Sequence, residues 1–258
     1  MSMNINFSKL RSPDFMLGKL LVFRKAIIDG VRLLLHRRDR ESLRFLKLMH
    51  AVKPRYTMVT NKNLITLYSL VQRVNSLSLE GDIVECGVWN GGSAAIMGLA
   101  NTIQKENDIN RPIWLFDSFQ GLPQASQKDG AIERSSYFEG WNKGEISKVE
   151  HVFAKLGVPL DKVTIIPGWF DKTLRAAPIN QIAILHIDAD WYDSVKLVLD
   201  VFYDKVVPGG FIILNDYNTW EGCNKALNDF LTERQLQDII VITEVEPTTG
   251  AYFRKPQE

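Results

Sequence analysis

From Gly81 onward the sequence alternates short apolar runs with helix-patterned stretches, and this alternation restricts the possible folds more than any other feature. DIVECG, PIWLFDS, KVTIIPG, residues 182–188 and GGFIILND read as five strands. Helices follow at GGSAAIMGLANTI, DKTLRAA, 194–203 and 224–231. Continuously apolar strands separated by helices require a parallel sheet covered on both faces. Right-handed crossovers then wind the chain into a doubly wound α/β sheet, with its binding crevice at the carboxyl ends of the strands. DIIVITEV and GAYFRK flank a turn at 246–250 and are expected to close the sheet as an antiparallel hairpin.

Upstream of residue 80 no strand pattern is visible. Apolar residues recur at helical spacing over 17–74, as in Leu20, Phe23, Ile27, Val31, Leu34 and Leu35. Asp29-Gly30 and Lys53-Pro54 interrupt the pattern, and Asn61 or Asn63 is a candidate cap for LITLYSLVQRV. The expected organisation is a helical arm and cap over 1–78 and an α/β domain over 79–258.

The 258 residues are 45% hydrophobic and 24% charged with net charge +1, so no nucleic-acid partner is demanded. Residues 1–55 are nevertheless rich in Lys and Arg, including Lys9, Arg24, Arg37 and Arg38. That arm reads either as a cap packing on the crevice or a second subunit, or as a helix lying on a membrane surface. No run is apolar and long enough to span a bilayer, and no secretory leader pattern is present. Cys86 and Cys223 match no zinc spacing and fit reduced thiols of a cytoplasmic protein, with a single bridge as the alternative.

Three motifs carry candidate chemistry. In GDIVECGVWNGGSA, Glu85, Gly87, Gly91 and Gly92 lie where the first strand turns into its helix. Glycine there lets a ligand approach backbone, although a tight turn needs glycine without any ligand. The spacing is not that of a pyrophosphate-binding loop. Asp117 in WLFDSFQGLP ends the second strand, where an acid can hold ribose hydroxyls or simply serve the loop.

HIDADWYDS and ILNDYNTW end the fourth and fifth strands. If these strands are neighbours, Asp188, Asn215 and Asp216 converge as two carboxylates and an amide oxygen, a hard site suited to Mg²⁺. A lone acid at a strand end is otherwise a helix cap, a role open to Asp190 and Asp193. His186 shares the face of Asp188 and reads as a general base or as a core histidine satisfied by backbone. Trp89, Trp141, Trp169, Trp191 and Trp220 flank the crevice, either lining an acceptor pocket or packing beneath loops.

Taken with YTMV, VTIIPGWFDKTL and PGGFIILNDYNTWEGCNKALNDF, these motifs resemble the macrocin O-methyltransferase family, in order, from about Tyr56 to Phe253. That family includes enzymes methylating sugar hydroxyls of macrolide and aminocoumarin antibiotics. The resemblance implies a class I methyltransferase fold, Rossmann-like with a C-terminal antiparallel hairpin. It also implies S-adenosylmethionine, Mg²⁺, self-association and a small-molecule acceptor bearing a sugar hydroxyl. By matched motif, Glu85, Gly87 and Ser93 surround the methionine part of the cofactor. Asp117 holds the ribose, Ser118 and Phe119 lie near the adenosine, and Thr57, Met58 and Val59 close over it. Asp188, Asn215 and Asp216 match the metal positions, and Asp188 also matches the proposed base. Many relatives read Asp-Asp where this chain has Asn215-Asp216, so its site carries one less negative charge.

Two other readings stand beside this one. Asp188-Ala189-Asp190 is formally the D-x-D motif of metal-dependent glycosyltransferases, though that leaves the glycine turn and Asp117 without roles. Asn215 also admits a cofactor-binding protein whose metal site has decayed.

Overall fold

The computed structural model describes residues 40–103 and 111–257. The basic arm over 1–39, and with it the membrane-surface reading, lies outside the described residues. The chain divides into two compact units, 1–50 and 51–258. Helix α1 (Arg40–Val52) runs across that division. No helix among the described residues is long and apolar enough to cross a membrane.

Helix α2 (Asn61–Ser76) belongs to the second unit. Its N-cap is Thr60 rather than Asn61 or Asn63: the Thr60 hydroxyl accepts from the Asn63 N–H at 3.2 Å. A β-region residue just before the first turn is where a hydroxyl reaches an orphan N–H. Leu64, Leu67, Val71 and Val74 form its buried stripe, which packs on α3 (Gly92–Ile103).

The sheet has seven strands in the order β3-β2-β1-β4-β5-β7-β6. The strands are β1 (Asp82–Cys86), β2 (Ile113–Asp117), β3 (Val163–Pro167), β4 (Ile182–Ile187), β5 (Val206–Leu214), β6 (Thr243–Glu244) and β7 (Ala251–Arg254). The first five pair in parallel, and β7 pairs antiparallel with both β5 and β6. Every residue of β4 is buried, as the continuous apolar run IAILHI requires of a central strand covered on both faces. The remaining helices are α4 (Ala131–Ser136), α5 (Ile146–Leu156), α6 (Phe170–Thr173), α7 (Tyr192–Phe202) and α8 (Glu221–Glu233).

Two departures from the sequence reading have clear causes. DIIVITEV forms only the two-residue β6, with Ile239 and Val241 exposed. It lies at the sheet edge and pairs with β7 alone, so nothing covers those side chains. Conversely, α5 was not expected, although Val149, Val152 and Phe153 have helical spacing and are buried. Gly157 ends it in the left-handed region at φ 69°.

Phe153 is completely buried between α5 and α3, so Phe153→Ala should cost about 3–5 kcal/mol. A denaturant melt should show a lower midpoint with an unchanged slope, and an unshifted midpoint would show that α5 contributes little to stability.

Candidate active site

The site is built where the parallel register continues one residue beyond each strand. The Gly168 N–H donates to the Asp117 carbonyl, Gly87 to Phe116, Asp188 to Cys86 and Asn215 to Ile187, at 2.8–2.9 Å. These bonds bring the first residues after β3, β1, β4 and β5 to one edge of the sheet. Gly87 has φ +90° there, and a Cβ on it would lie 1.8 Å from the Asp188 carbonyl oxygen. Its glycine is therefore demanded by the crossing of the β1 and β4 loops, before any ligand is considered.

Asp117 ties this turn together. One carboxylate oxygen accepts from Val88 and Trp89 N–H at 2.8 Å each, and the other from Phe119 N–H at 2.7 Å. Burial pushes its carboxyl up, and those three bonds pull it back. Of about four acceptor positions on a carboxylate, one stays open. Ser118 folds back on its own loop, donating to the Gly121 carbonyl at 2.9 Å and accepting from Gln120 N–H at 3.0 Å. Phe119 is nearly buried at φ +50°, and Ser93 is buried at the start of α3.

The segment containing Thr57, Met58 and Val59 lies against the same turn. Gly92 N–H donates to the Tyr56 carbonyl at 2.8 Å, and Val59 N–H donates to the Thr57 hydroxyl at 3.1 Å. Met58 is exposed. Asn90 clamps the assembly: its amide donates to the Arg55 carbonyl and accepts from Glu145 N–H, both at 3.1 Å. Asn90 belongs to no motif of its own, and its place inside the glycine-rich turn is its only signal in the sequence.

Beneath the turn, Glu85 and His186 are neighbours in the β1–β4 register and wholly buried. His186 Nδ1 lies 2.7 Å from a Glu85 carboxylate oxygen. The other Glu85 oxygen and His186 Nε2 have no partner within the protein. The backbone partner expected for a core His186 is replaced by a carboxylate, because Glu85 stands opposite it in the strand register.

Asp188, Asn215 and Asp216 do converge. The Asn215 amide nitrogen lies 3.0 Å from an Asp188 oxygen and 3.3 Å from each Asp216 oxygen. The expected orientation of Asn215 is therefore reversed. Its nitrogen faces the carboxylates, because N–H donors and carboxylate oxygens attract, while its oxygen accepts from Asn63 at 2.9 Å. Among the described residues no three His, Cys, Asp or Glu side chains form a metal cage, so the centre offers two carboxylates.

Burial is the largest cause raising Asp188, up to about 7, with hydrogen bonding to Asp216 pulling it down and the charges of Asp190 and Glu85 adding to the rise. Asp216 and Asp190 are pushed well above the usual carboxylate range, again chiefly by burial.

Asp190 does not cap α7. Its backbone sits at φ +56°, and its carboxylate accepts from the Trp220 indole at 2.7 Å. Nor does Asp193, which pairs on the surface with Lys128 at 3.8 Å. The caps come instead from the segment between β2 and α5. Asp129 accepts from Tyr192 N–H, the first of α7, at 2.7 Å, and Glu133 accepts from Glu221 N–H, the first of α8, at 2.9 Å. Carboxylates at helix N-termini meet unsatisfied N–H groups and the positive end of the dipole.

At its base this segment is closed by Leu122 N–H to the Trp141 carbonyl and Gly140 N–H to the Leu122 carbonyl. It carries Tyr137 edge-on against Trp141, Trp191 and Trp220, with centroids 5.1–5.9 Å apart. Of the flanking tryptophans, Trp141, Trp191 and Trp220 thus form one aromatic wall beside Asp190. Trp169 stands apart as the N-cap residue of α6.

The sequence matches the Macrocin-O-methyltransferase (TylF) family model over residues 40–255. The chain belongs to this family. It is 33% identical over 202 residues to the 8-demethyl-8-(2,3-dimethoxy-alpha-L-rhamnosyl)-tetracenomycin-C 4'-O-methyltransferase of Streptomyces olivaceus, covering 77% of this chain and 75% of that one. It is 31% identical to the mycinamicin III 3''-O-methyltransferase of Micromonospora griseorubida, covering 78% of each. Its structure is similar to the O-methyltransferase NovP, with TM-score 0.69, 28% identity and coverage of 78% and 83%. The chain is thus an O-methyltransferase with the class I methyltransferase fold. Family membership overturns the glycosyl-transfer reading of Asp188-Ala189-Asp190.

In metal-free buffer the folded O-methyltransferase keeps a proton on Asp188 that an unfolded chain releases near 3.8. The resulting stability is whole below that pH and is lost as pH rises through about 7. Thermal melts with a chelator, over about pH 4 to 8, should show this decline in the native protein and a flatter profile in Asp188→Asn. An identical slope in the variant would assign the titration to another group.

Proposed function

We propose that this chain methylates a hydroxyl of a sugar or glycosylated small molecule, using S-adenosylmethionine and a divalent metal held by Asp188 and Asp216. The observation that carries the proposal is the meeting of two carboxylates at the ends of β4 and β5, beside a β1 turn with an unpartnered buried carboxylate oxygen on Glu85. The sugar O-methyltransferase relatives support the acceptor class.

The residues present fit both groups. A buried carboxylate oxygen without a partner suits the α-ammonium of a methionine moiety, since an unpaired buried charge is costly. The open position on Asp117 has room for one ribose hydroxyl bond, its other positions being spent on the turn. Ser118 and Phe119 would lie on the adenosine side. Thr57, Met58 and Val59 would close over the cofactor, and Gly87 and Ser93 would flank its methionine end. Asp188 and Asp216 are oxygen donors suited to a hard cation such as Mg²⁺.

S-adenosylmethionine supplies an electrophilic methyl on a good leaving group, and a bound divalent cation would supply Lewis acidity toward the acceptor hydroxyl. The protein contributes the rest. Asp188 takes the hydroxyl proton, being the strand-end carboxylate beside the proposed acceptor position. Glu85 and His186 provide a fixed, hydrogen-bonded floor behind it. Tyr137, Trp141 and Trp220, half-buried and backed by the buried Trp191, offer apolar faces to a sugar and exclude water, so positioning carries much of the rate.

Calorimetry should show binding of S-adenosylmethionine and none of UDP-sugars. With a panel of sugars, glycosides and catechols, Asp188→Ala should lower methyl transfer about 10²–10⁴-fold. Full transfer by that variant in EDTA would overturn the mechanism. A second reading rests on the Asn215 amide nitrogen occupying the space between the carboxylates. It describes a cofactor-binding protein with a decayed metal site, and tight cofactor binding without turnover on the same panel would favour it.

A further inference from the structure

Asn215 does not stand alone. Its oxygen accepts from the Asn63 amide at 2.9 Å, and the Asn63 oxygen accepts from the Thr248 hydroxyl at 2.5 Å. The same hydroxyl is also within hydrogen-bonding reach of the Val245 carbonyl. A hydroxyl has one proton, so it can serve only one of these two acceptors at a time. Asn63 is buried on α2, and Thr248 lies in the β6–β7 turn. Gly250 abuts the amide so closely that a Cβ there would come within 2.5 Å of the Asn63 nitrogen. The turn therefore holds Asn63 against Asn215 on one side while α2 holds it on the other.

This chain of groups has two complete hydrogen-bonding arrangements. In the observed one, Thr248 donates to Asn63, Asn63 donates to Asn215, and Asn215 donates to Asp188 and Asp216. In the other, Thr248 donates to Val245, the Asn63 nitrogen donates to the Thr248 oxygen, and the Asn215 nitrogen donates to the Asn63 oxygen. The Asn215 oxygen then faces the two carboxylates. Passing between them needs only a half-turn of each planar amide, whose nitrogen and oxygen occupy nearly the same space. Each amide nitrogen keeps at least one acceptor in either arrangement. The second places three oxygens around one point, which suits a divalent cation and is unfavourable without one.

We propose that Thr248, Asn63 and Asn215 form a relay that turns as a unit, so that the Asn215 oxygen joins Asp188 and Asp216 when a divalent cation enters. Asn63 and Thr248 are positioning residues in this scheme. It rests on the reading that Asp188 and Asp216 hold a metal.

The test uses Mn²⁺ alone with the full chain, its binding followed by electron paramagnetic resonance. Asn63→Leu removes the acceptor that the turned Asn215 nitrogen needs, so Mn²⁺ affinity should fall about tenfold. In an Asn215→Asp background no amide remains to be turned, and the same change should not weaken binding. Equal Mn²⁺ affinity in the native protein and Asn63→Leu would overturn the relay while leaving the metal reading intact. No Mn²⁺ binding by either the native protein or Asn215→Asp would overturn the metal reading and the relay with it. A measurement free of folding defects uses native protein labelled with ¹⁵N-asparagine. Adding Mg²⁺ should shift the side-chain amide signals of both Asn63 and Asn215, and movement of Asn215 alone would defeat the proposal.

Discussion

The site depends on the parallel ladder running on past the strands themselves. Four backbone hydrogen bonds, from Gly168, Gly87, Asp188 and Asn215, tie each strand's first loop residue to its neighbour. Side chains that follow these residues inherit their spacing from the sheet rather than from flexible loops. Rigid elements hold reactive groups more tightly than loops do, and positioning of this kind is what methyl transfer from a good leaving group needs. Gly87 marks how tight the arrangement is, since no side chain fits between its backbone and the Asp188 carbonyl.

That compactness gathers carboxyl groups in a poorly solvated place. Glu85, Asp117, Asp188, Asp190 and Asp216 lie at or just below one edge of the sheet, and burial opposes ionisation of the four aspartates. Each has a different relief. Glu85 meets His186, Asp117 meets three backbone N–H groups, Asp190 meets the Trp220 indole, and the last pair shares the Asn215 amide. One Glu85 oxygen and His186 Nε2 are left over, deep in the structure. A buried polar oxygen without a partner is costly, and it stands out in so well-paired a site.

Local pattern made most of the frame legible. The five parallel strands, the C-terminal hairpin and the strand-end acids were all visible, because burial on both faces leaves a continuous apolar run and the crevice of such sheets has a fixed place. Helix α5 carried a readable stripe at Val149, Val152 and Phe153 and was obscured by the uninformative stretch before it. DIIVITEV has strand propensity, but edge position left most of it unpaired. The partners of His186, Asn215 and Asp190 lie 101, 152 and 30 residues away. A single sequence shows which side chains can donate or accept, but it does not show which way an amide faces once folding has chosen its neighbour.

The segment between β2 and α5 is fastened in a particular way. Two backbone bonds join its ends at Leu122, Gly140 and Trp141, and Asp129 and Glu133 rivet its middle to the starts of α7 and α8. Between those fixings the chain is an interchangeable cassette. Its aromatic face can be lengthened, shortened or rewritten at modest entropic cost, because its closure does not grow steeply with length. The strand-end residues beneath take their spacing from the sheet ladder rather than from this segment, so edits to it would leave that register in place.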